Sequence, residues 1–251
     1  MKVKRIAATA AIALAIATLH AQSPDDVSRL EQQGRRVYAR SYRGITATGQ
    51  YETADEAKAR AEAGRRQDVR VEVHGNAAIV TGVETAGGGA DRVLRIWVRD
   101  GDRWQIVAGQ TTWIGERTDV PDLSGPLPAA TPAPFTPTSA AEVAIWRSQD
   151  ALMRSFSEAD PESYRRFSTA QSLRMTTGGD AIPREQWLDT IAKRSRGPMA
   201  VVDEIRIAAF GEVGLVTLRG HEANPTRQSW VYLLQDGVWK LHLRYTSAIR
   251  N

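Results

Sequence analysis

Hydrophobic and polar positions fall into distinct blocks along this chain. Residues 6–19 form an apolar, alanine-rich run interrupted only by Thr9 and Thr18. Two later regions show the alternation of half-buried strands. Residues 69–82 (VRVEVHGNAAIVTG) and 205–218 (IRIAAFGEVGLVTL) each read as a strand, a tight turn carrying Gly75 or Gly211, and a second strand. A long hairpin follows in each. The first pairs residues 92–98 with 104–113 around Asp100, Gly101 and Asp102; the second pairs 227–234 with 239–249 around Asp236 and Gly237. Asp-Gly between apolar runs is a strong hairpin signal. The matching features lie 136 residues apart before this last turn and 135 after it. Two hairpins repeated in register point to a duplicated domain.

Helical spacing predicts the remaining elements. In the second half, residues 140–157 carry Ile145, Trp146, Leu152, Met153 and Phe156 along one stripe. Asp160 and Pro161 form an N-cap and a proline at the first helical position, opening a short helix through Phe167. Residues 172–177 read as a strand, Gly178 and Gly179 as a turn, and 183–193 as a third helix with Trp187, Leu188 and Ile191 on one face. In the first half, 25–33 is a short helix, 36–42 is extended, and Thr53 with Glu56 makes a capping box that opens a helix through Ala63. The first half has no counterpart of the long helix 140–157. Its inner sheet face is therefore expected to need cover from the linker, the other copy or a second chain.

Between the halves, residues 117–138 hold six of the 11 prolines, with Gly, Ala, Ser and Thr among them. That composition favours an extended linker over a packed element. The expected organisation is a signal peptide at 1–21, a shortened first copy at 22–116, the linker at 117–138 and a complete second copy at 139–251. Lys2, Lys4 and Arg5 precede the apolar run and Ala21 supplies a small residue for cleavage. The run falls short of the ~20 residues that a membrane-spanning helix needs. The mature protein is expected to be periplasmic or secreted, with no membrane span. Removing Lys2, Lys4 and Arg5 takes three charges from a net +4 and leaves about +1. The balance gives no reason to expect nucleic-acid binding. Cysteine is absent, which excludes disulfides, thiolate metal sites and a cysteine nucleophile.

The order helix, short helix, strand, helix and four-strand antiparallel meander resembles the nuclear transport factor 2-like superfamily, and within it the SnoaL-like families of unknown function. Residues 73–82, 97–108 (WVRDGDRWQIVA), 157–160 (SEAD) and 234–241 (LQDGVWKL) carry the resemblance. It implies an α+β fold in two cone-like domains, each a curved antiparallel sheet packed on helices, the first lacking its long N-terminal helix. It also implies that the two sheets pack back to back within one chain. The superfamily includes a ketosteroid isomerase, polyketide cyclases, dehydratases and many binding modules, so fold does not decide activity here.

Candidate site residues follow from alternation and helical spacing. Trp239, Leu241, Leu243 and Tyr245 are expected on the inner face of the last strand, with Lys240, His242 and Arg244 on the other. The matching face of the first copy carries Trp104, Ile106, Ala108 and Gln110. Gln149 falls inside the apolar stripe of the long helix. One reading makes Gln149, Tyr245, Met153, Trp230 and Gln110 the wall of an apolar ligand pocket; the other leaves Gln149 at the edge of its stripe and Tyr245 merely packed. Trp146, Phe156, Trp187 and Trp230 are large enough to fill the cone completely. His221 with Glu222 is either a base and its orienter or a solvated hairpin tip. Lys240, His242 and Arg244, or Arg95 and Arg99 astride Trp97, either bind anions or face solvent. No histidine spacing resembles a zinc site, and Gly87–Gly89 lies between strands rather than before a helix, so neither metal nor cofactor is expected. No carboxylate points clearly inward as a catalytic base. The expected role is a non-catalytic module binding a small apolar ligand or a protein partner. The alternatives are an isomerase, cyclase or hydrolase, and a purely structural pair.

Overall fold

A computed structural model describes residues 24–62, 64–86, 89–115, 135–221 and 225–249. The expected signal peptide and most of the expected linker lie outside these residues. The first copy comprises α1 (Pro24–Gln32), β1 (Tyr38–Ile45), β2 (Tyr51–Glu52), α2 (Ala54–Glu62), β3 (Arg65–His74), β4 (Ala77–Ala86), β5 (Gly89–Asp100) and β6 (Arg103–Trp113). The second comprises α3 (Ala140–Ser157), α4 (Pro161–Arg166), β7 (Ser168–Met175), β8 (Ala181–Pro183), α5 (Arg184–Ala192), β9 (Val202–Phe210), β10 (Val213–Gly220), β11 (Thr226–Gln235) and β12 (Val238–Ala248). The chain is thus α+β, with two separate sheets, each covered by its own helices.

The helices start where their side chains can satisfy the first backbone N–H groups. Ser139 accepts from Glu142 N at 3.2 Å, and Asp160 accepts from Ser163 N at 3.0 Å. Thr53 and Glu56 form the expected box, with Thr53 N donating to Glu56 Oε2 at 2.7 Å. Turns close where the sequence supplies a left-handed residue. Asp236 and Gly237 both have positive φ, 52° and 75°, as a two-residue type I′ hairpin requires.

The sheets have the same strand order, β2-β1-β6-β5-β4-β3 and β8-β7-β12-β11-β10-β9. The four-strand meanders are antiparallel as expected, but each sheet also contains one parallel pair, β1 with β6 and β7 with β12. The sheets are therefore mixed. Parallel neighbours require a long connection, and here a helix and four strands intervene.

The duplication extends to irregularities. β6 bulges at Val107 and β12 at His242. β3 bulges beside Asp68 (φ 53°) and β9 beside Glu204 (φ 50°). Strand pairing moves the one-residue change of offset to the β4–β5 connection: Val80 and Arg95 pair where Val216 and Trp230 do.

The sheets pack back to back through one apolar layer. Ala77, Ile79, Ile96 and Ala108 meet Val213, Leu215, Val231 and Leu243, which are the same positions in the other copy. The contact is isologous, like that of a two-fold dimer. The turn tips also meet, since a Cβ added at Gly211 would lie 2.6 Å from Asn76 Oδ1. The other copy consequently covers the outer face of the first sheet. Among the described residues, α1, α2 and a buried cluster of ionic side chains cover its inner face, and the second copy does not.

Candidate functional site

The inner face of the second sheet carries α3 across it. Ile145 and Leu152 are buried against Val216, Tyr232, Trp239 and Leu241. The approach is close: a Cβ at Gly214 would lie 2.8 Å from Ile145 Cδ1. Ala78 occupies the equivalent position in the first copy, which has no such helix among the described residues. Gln149 is fully buried beside this contact and accepts a hydrogen bond from Tyr232 Oη at 2.6 Å.

This packing closes the narrow end of the cone and leaves a cavity of about 520 Å³ toward the open end. Leu152, Met153, Phe156, Trp187, Leu218 and Trp230 form its apolar wall. The four large aromatics do not fill the cone. Trp146 turns outward onto Phe135, ring centres 5.4 Å apart, and Phe156 and Trp187 stack on each other along one wall.

Three arginines enter the lining against aromatic rings. Arg174 lies 3.8 Å from the centre of the Trp187 ring, Arg194 3.8 Å from that of Phe156, and Arg244 4.4 Å from that of Trp230. Such stacking fixes the plane of each guanidinium against its ring. Tyr164 is buried nearby; burial pushes its hydroxyl up to about 12, with Arg244 and Arg174 pulling the other way. At the rim, His221 Nε2 lies 2.9 Å from Asp203 Oδ2. Arg219 donates twice to Asp203, at 2.7 and 2.5 Å, and holds that carboxyl below the usual range. Among the described residues the carboxylate beside His221 is thus Asp203, brought in by a neighbouring strand; Glu222 lies outside the described residues.

The candidate residues separate into two places. Met153 and Trp230 line the cavity, and Gln149 lies deeper in the same cone. Tyr245 and Gln110 lie between the sheets. Tyr245 Oη donates to Val93 O at 3.3 Å, and Gln110 Nε2 donates to Ser247 Oγ at 2.9 Å and Arg227 O at 3.2 Å. The physical reason is the pair of bulges. An extra residue at His242 ends the alternation, so Trp239 and Leu241 face the cone while Leu243 and Tyr245 face the other copy. Val107 does the same to Gln110.

The bulge also disperses the expected basic face. Lys240 Nζ lies 3.9 Å from Asp236, and Arg244 turns into the cone. His242 Nε2 lies 3.0 Å from Glu72 Oε2 of the first copy, at an inter-copy cleft of about 830 Å³. Its Nδ1 lies 3.1 Å from Thr169 Oγ1. Arg95 is buried in the ionic cluster, and Arg99 reaches Gly101 O and Asp102 instead. Arg174 and Arg194 were not singled out by pattern, because an arginine on a short strand or after a helix looks like a solvated residue. A signal was present between the copies: Gly44 and Gly109 occupy the positions of Arg174 and Arg244.

No family model matches the chain, and no curated protein matches it. Among solved structures it is similar to an NTF2-like protein from Cytophaga hutchinsonii, with 19% identity over 45% of this chain and 100% of that one, at a TM-score of 0.40. An NTF-2 like protein of unknown function from Silicibacter pomeroyi gives 11% identity over 45% and 99%, at 0.40. An NTF2-like protein of unknown function in nutrient uptake from Rhodospirillum rubrum gives 16% over 42% and 98%, at 0.37. Each match spans one copy's worth of this chain, and identities this low bear on the fold alone. No helix among the described residues is long and apolar enough to cross a membrane.

Proposed function

We propose that the chain is an exported, non-catalytic binding module whose second copy holds a small, largely apolar molecule. One observation carries this reading: the cone keeps a cavity of about 520 Å³ with an aromatic and aliphatic wall that includes Phe156, Trp187 and Trp230. Cavities of this size, apolar with a few placed polar groups, are typical of small-molecule sites. Acid–base chemistry on an apolar substrate calls for a carboxylate or a similar base within reach of the reacting atom. Among the described lining residues the polar side chains are Arg174, Arg194, Arg244, Tyr164, Gln228 and His221, a set better suited to holding a ligand than to removing a carbon-bound proton. In this reading the first copy is a scaffold, and residues 1–21 direct export.

Native mass spectrometry of the mature protein, purified from its own compartment, tests the reading. A retained molecule is expected, and Met153→Trp, which fills the cavity, is expected to abolish retention. A bare wild-type chain would count against it. N-terminal sequencing is expected to give a start near Gln22; an intact Met1 overturns the export assignment. A second reading, an isomerase, cyclase or hydrolase, draws on His221 beside Asp203 at the rim. It requires that an added candidate molecule be converted, and that His221→Gln stop conversion while leaving binding intact.

A further inference from the structure

We propose that Trp187 donates a hydrogen bond to a carbonyl-type oxygen on the molecule held in the second cone, which makes that molecule an apolar ketone, ester or amide and not a bare hydrocarbon. This deepens the binding reading above and rests on it.

An indole N–H can donate and nothing else. Other buried tryptophans of the chain show how that donor is normally met. Trp97 Nε1 donates to Glu31 Oε1 at 3.0 Å inside the first cone, and Trp230 Nε1 donates to Gln228 Oε1 at 2.9 Å in the wall of the cavity. Trp187 belongs to the same wall and is 7% exposed, yet its buried Nε1 has no hydrogen-bond partner among the described residues. Buried donors are nearly always paired, and an unpaired one is costly. A phenylalanine would bring an apolar ring without that cost. Nor does the fold call for an indole here. The strand pairing that precedes each helix, Gly44 with Glu52 and Arg174 with Ile182, puts the buried Ala57 of α2 in the place of Trp187.

The indole is also held in place. Phe156 stacks on it, with ring centres 5.3 Å and planes 10° apart, and Arg174 lies 3.8 Å from its centre. Turning the N–H toward a protein acceptor elsewhere would break both contacts. The cavity that Trp187 lines is then the remaining source of an acceptor. Reaching the N–H takes a small side-chain adjustment on binding, and Met153 and Met199 are the pliant members of the wall. Arg174 and Arg244 are engaged in contacts of their own, so the acceptor need not carry a charge. A neutral carbonyl oxygen meets the donor, and the rest of the molecule lies on Leu152, Leu218 and Trp230.

The test uses the mature full chain in equilibrium dialysis with two isosteric probe pairs, in which a carbonyl oxygen replaces a methylene: 2-acetylnaphthalene with 2-isopropenylnaphthalene, and 2-undecanone with 2-methyl-1-undecene. Water solvates each ketone better than its alkene, so the readout is the change in their affinity ratio on substitution. Trp187→Phe is expected to lower the ketone-to-alkene ratio ~3- to 10-fold in at least one pair, the range of one neutral hydrogen bond, and to leave the alkene within ~3-fold of wild type. Trp230→Phe, whose N–H is already taken by Gln228, is expected to weaken both members of a pair and keep their ratio. Near-ultraviolet circular dichroism checks folding. In isotope-labelled wild type the Trp187 indole N–H resonance is expected to move downfield with the ketone and not with the alkene, a reading that holds even if Trp187→Phe misfolds. An unchanged ratio in folded Trp187→Phe, or an indole resonance indifferent to the ketone, means that the N–H meets water or nothing; it overturns the assignment and leaves the apolar cavity standing. Binding of none of the four probes overturns both.

Discussion

The two copies share a backbone plan, two bulges and one side of an interface, yet their interiors are opposite in kind. The second cone encloses apolar and aromatic side chains under a long helix. The first encloses Glu31, Glu52 and Glu84 among Arg36, Arg60, Arg66 and Arg95. One pair of equivalent positions states the contrast: Arg95 points into the first cone where Trp230 points into the second. The comparison teaches where the fold is constrained. The face that each copy turns to the other must stay apolar and complementary, so it keeps its bulges and its small-to-medium aliphatic residues. The inner face is bound only by the need to fill or line a cone, and it has diverged into ionic packing on one side and a cavity on the other.

The sharpest way to break this contrast is to remove the carboxylate on which the first interior converges. Glu84 Oε1 accepts from Arg36, from Arg95 at 2.5 Å and from Arg66 at 3.2 Å, and Oε2 accepts from Arg60 at 3.4 Å. Glu84→Ala leaves buried guanidinium groups short of a counter-charge, which typically costs ~3–5 kcal/mol. Urea denaturation is expected to show a loss of this order. Leu152→Ala, in the second interior, borders space that already exists and is expected to cost less, ~2–3 kcal/mol. An equal or reversed order would mean that the ionic cluster is not what holds the first cone.

Acid should act first on the same copy. The charged arginines Arg95 and Arg36 beside Glu84 outweigh its burial and hold it below the usual carboxylate range; His242 and His74, whose Nε2 atoms lie 3.0 and 3.8 Å from Glu72 Oε2, hold Glu72 well below it. A carboxyl whose folded value is depressed contributes stability above its unfolded value, and loses it as pH falls through the folded one. Stability is therefore expected to be flat from pH 7 to about 5 and to fall below about 4.3, the ordinary glutamate value. Glu84→Gln should flatten that fall at the expense of a lower plateau. A fall centred at or above pH 6 would point to histidine instead.

A smaller effect tests why Gly214 and Ala78 differ. Gly214→Ala sets a methyl group 2.8 Å from Ile145 and is expected to destabilise by ~1–3 kcal/mol, as overpacking does. Ala78→Gly, with no α3 above it, is expected to cost ~1 kcal/mol or less through backbone freedom. Chemical denaturation of the two variants reads the difference. Equal costs would mean that α3 does not press on the sheet at this point.

Much of this architecture was legible in the sequence because its signals are local. Asp236 and Gly237 fix a turn, Thr53 and Glu56 fix a helix start, and the stripe from Ile145 to Phe156 fixes a helix face. The bulge at His242 was not legible. Residues 239–245 alternate without a break, and one inserted residue leaves that pattern intact while reversing the direction of everything after it. Tyr245 and Arg244 were exchanged between faces for this reason alone. The ionic cluster was hidden differently: its members come from α1, the segment before β1, β2, α2, β3, β4 and β5, and no short window contains a charge pair to notice. The arginines of the cavity became visible only when the copies were laid on each other with glycines opposite.

The least expected change concerns the polar pair inside the second cone. Tyr232 Oη donates to Gln149 Oε1, while Gln149 Nε2 is buried with no hydrogen-bond partner among the described residues. An unsatisfied buried donor costs roughly 1–3 kcal/mol, comparable with what one hydrogen bond returns. Tyr232→Phe alone removes the bond and leaves the whole amide unsatisfied, so it is expected to cost ~1–2 kcal/mol. Gln149→Met alone removes the amide and strands one hydroxyl, with an expected cost near ~1 kcal/mol. Replacing both leaves apolar groups of similar shape and nothing stranded, and the double variant is expected to fall within ~0.5 kcal/mol of wild type. The signature is the non-additivity of the cycle, measured by urea denaturation. Additive costs would show that the amide nitrogen is satisfied in solution, and that this interior is wetter than its packing implies.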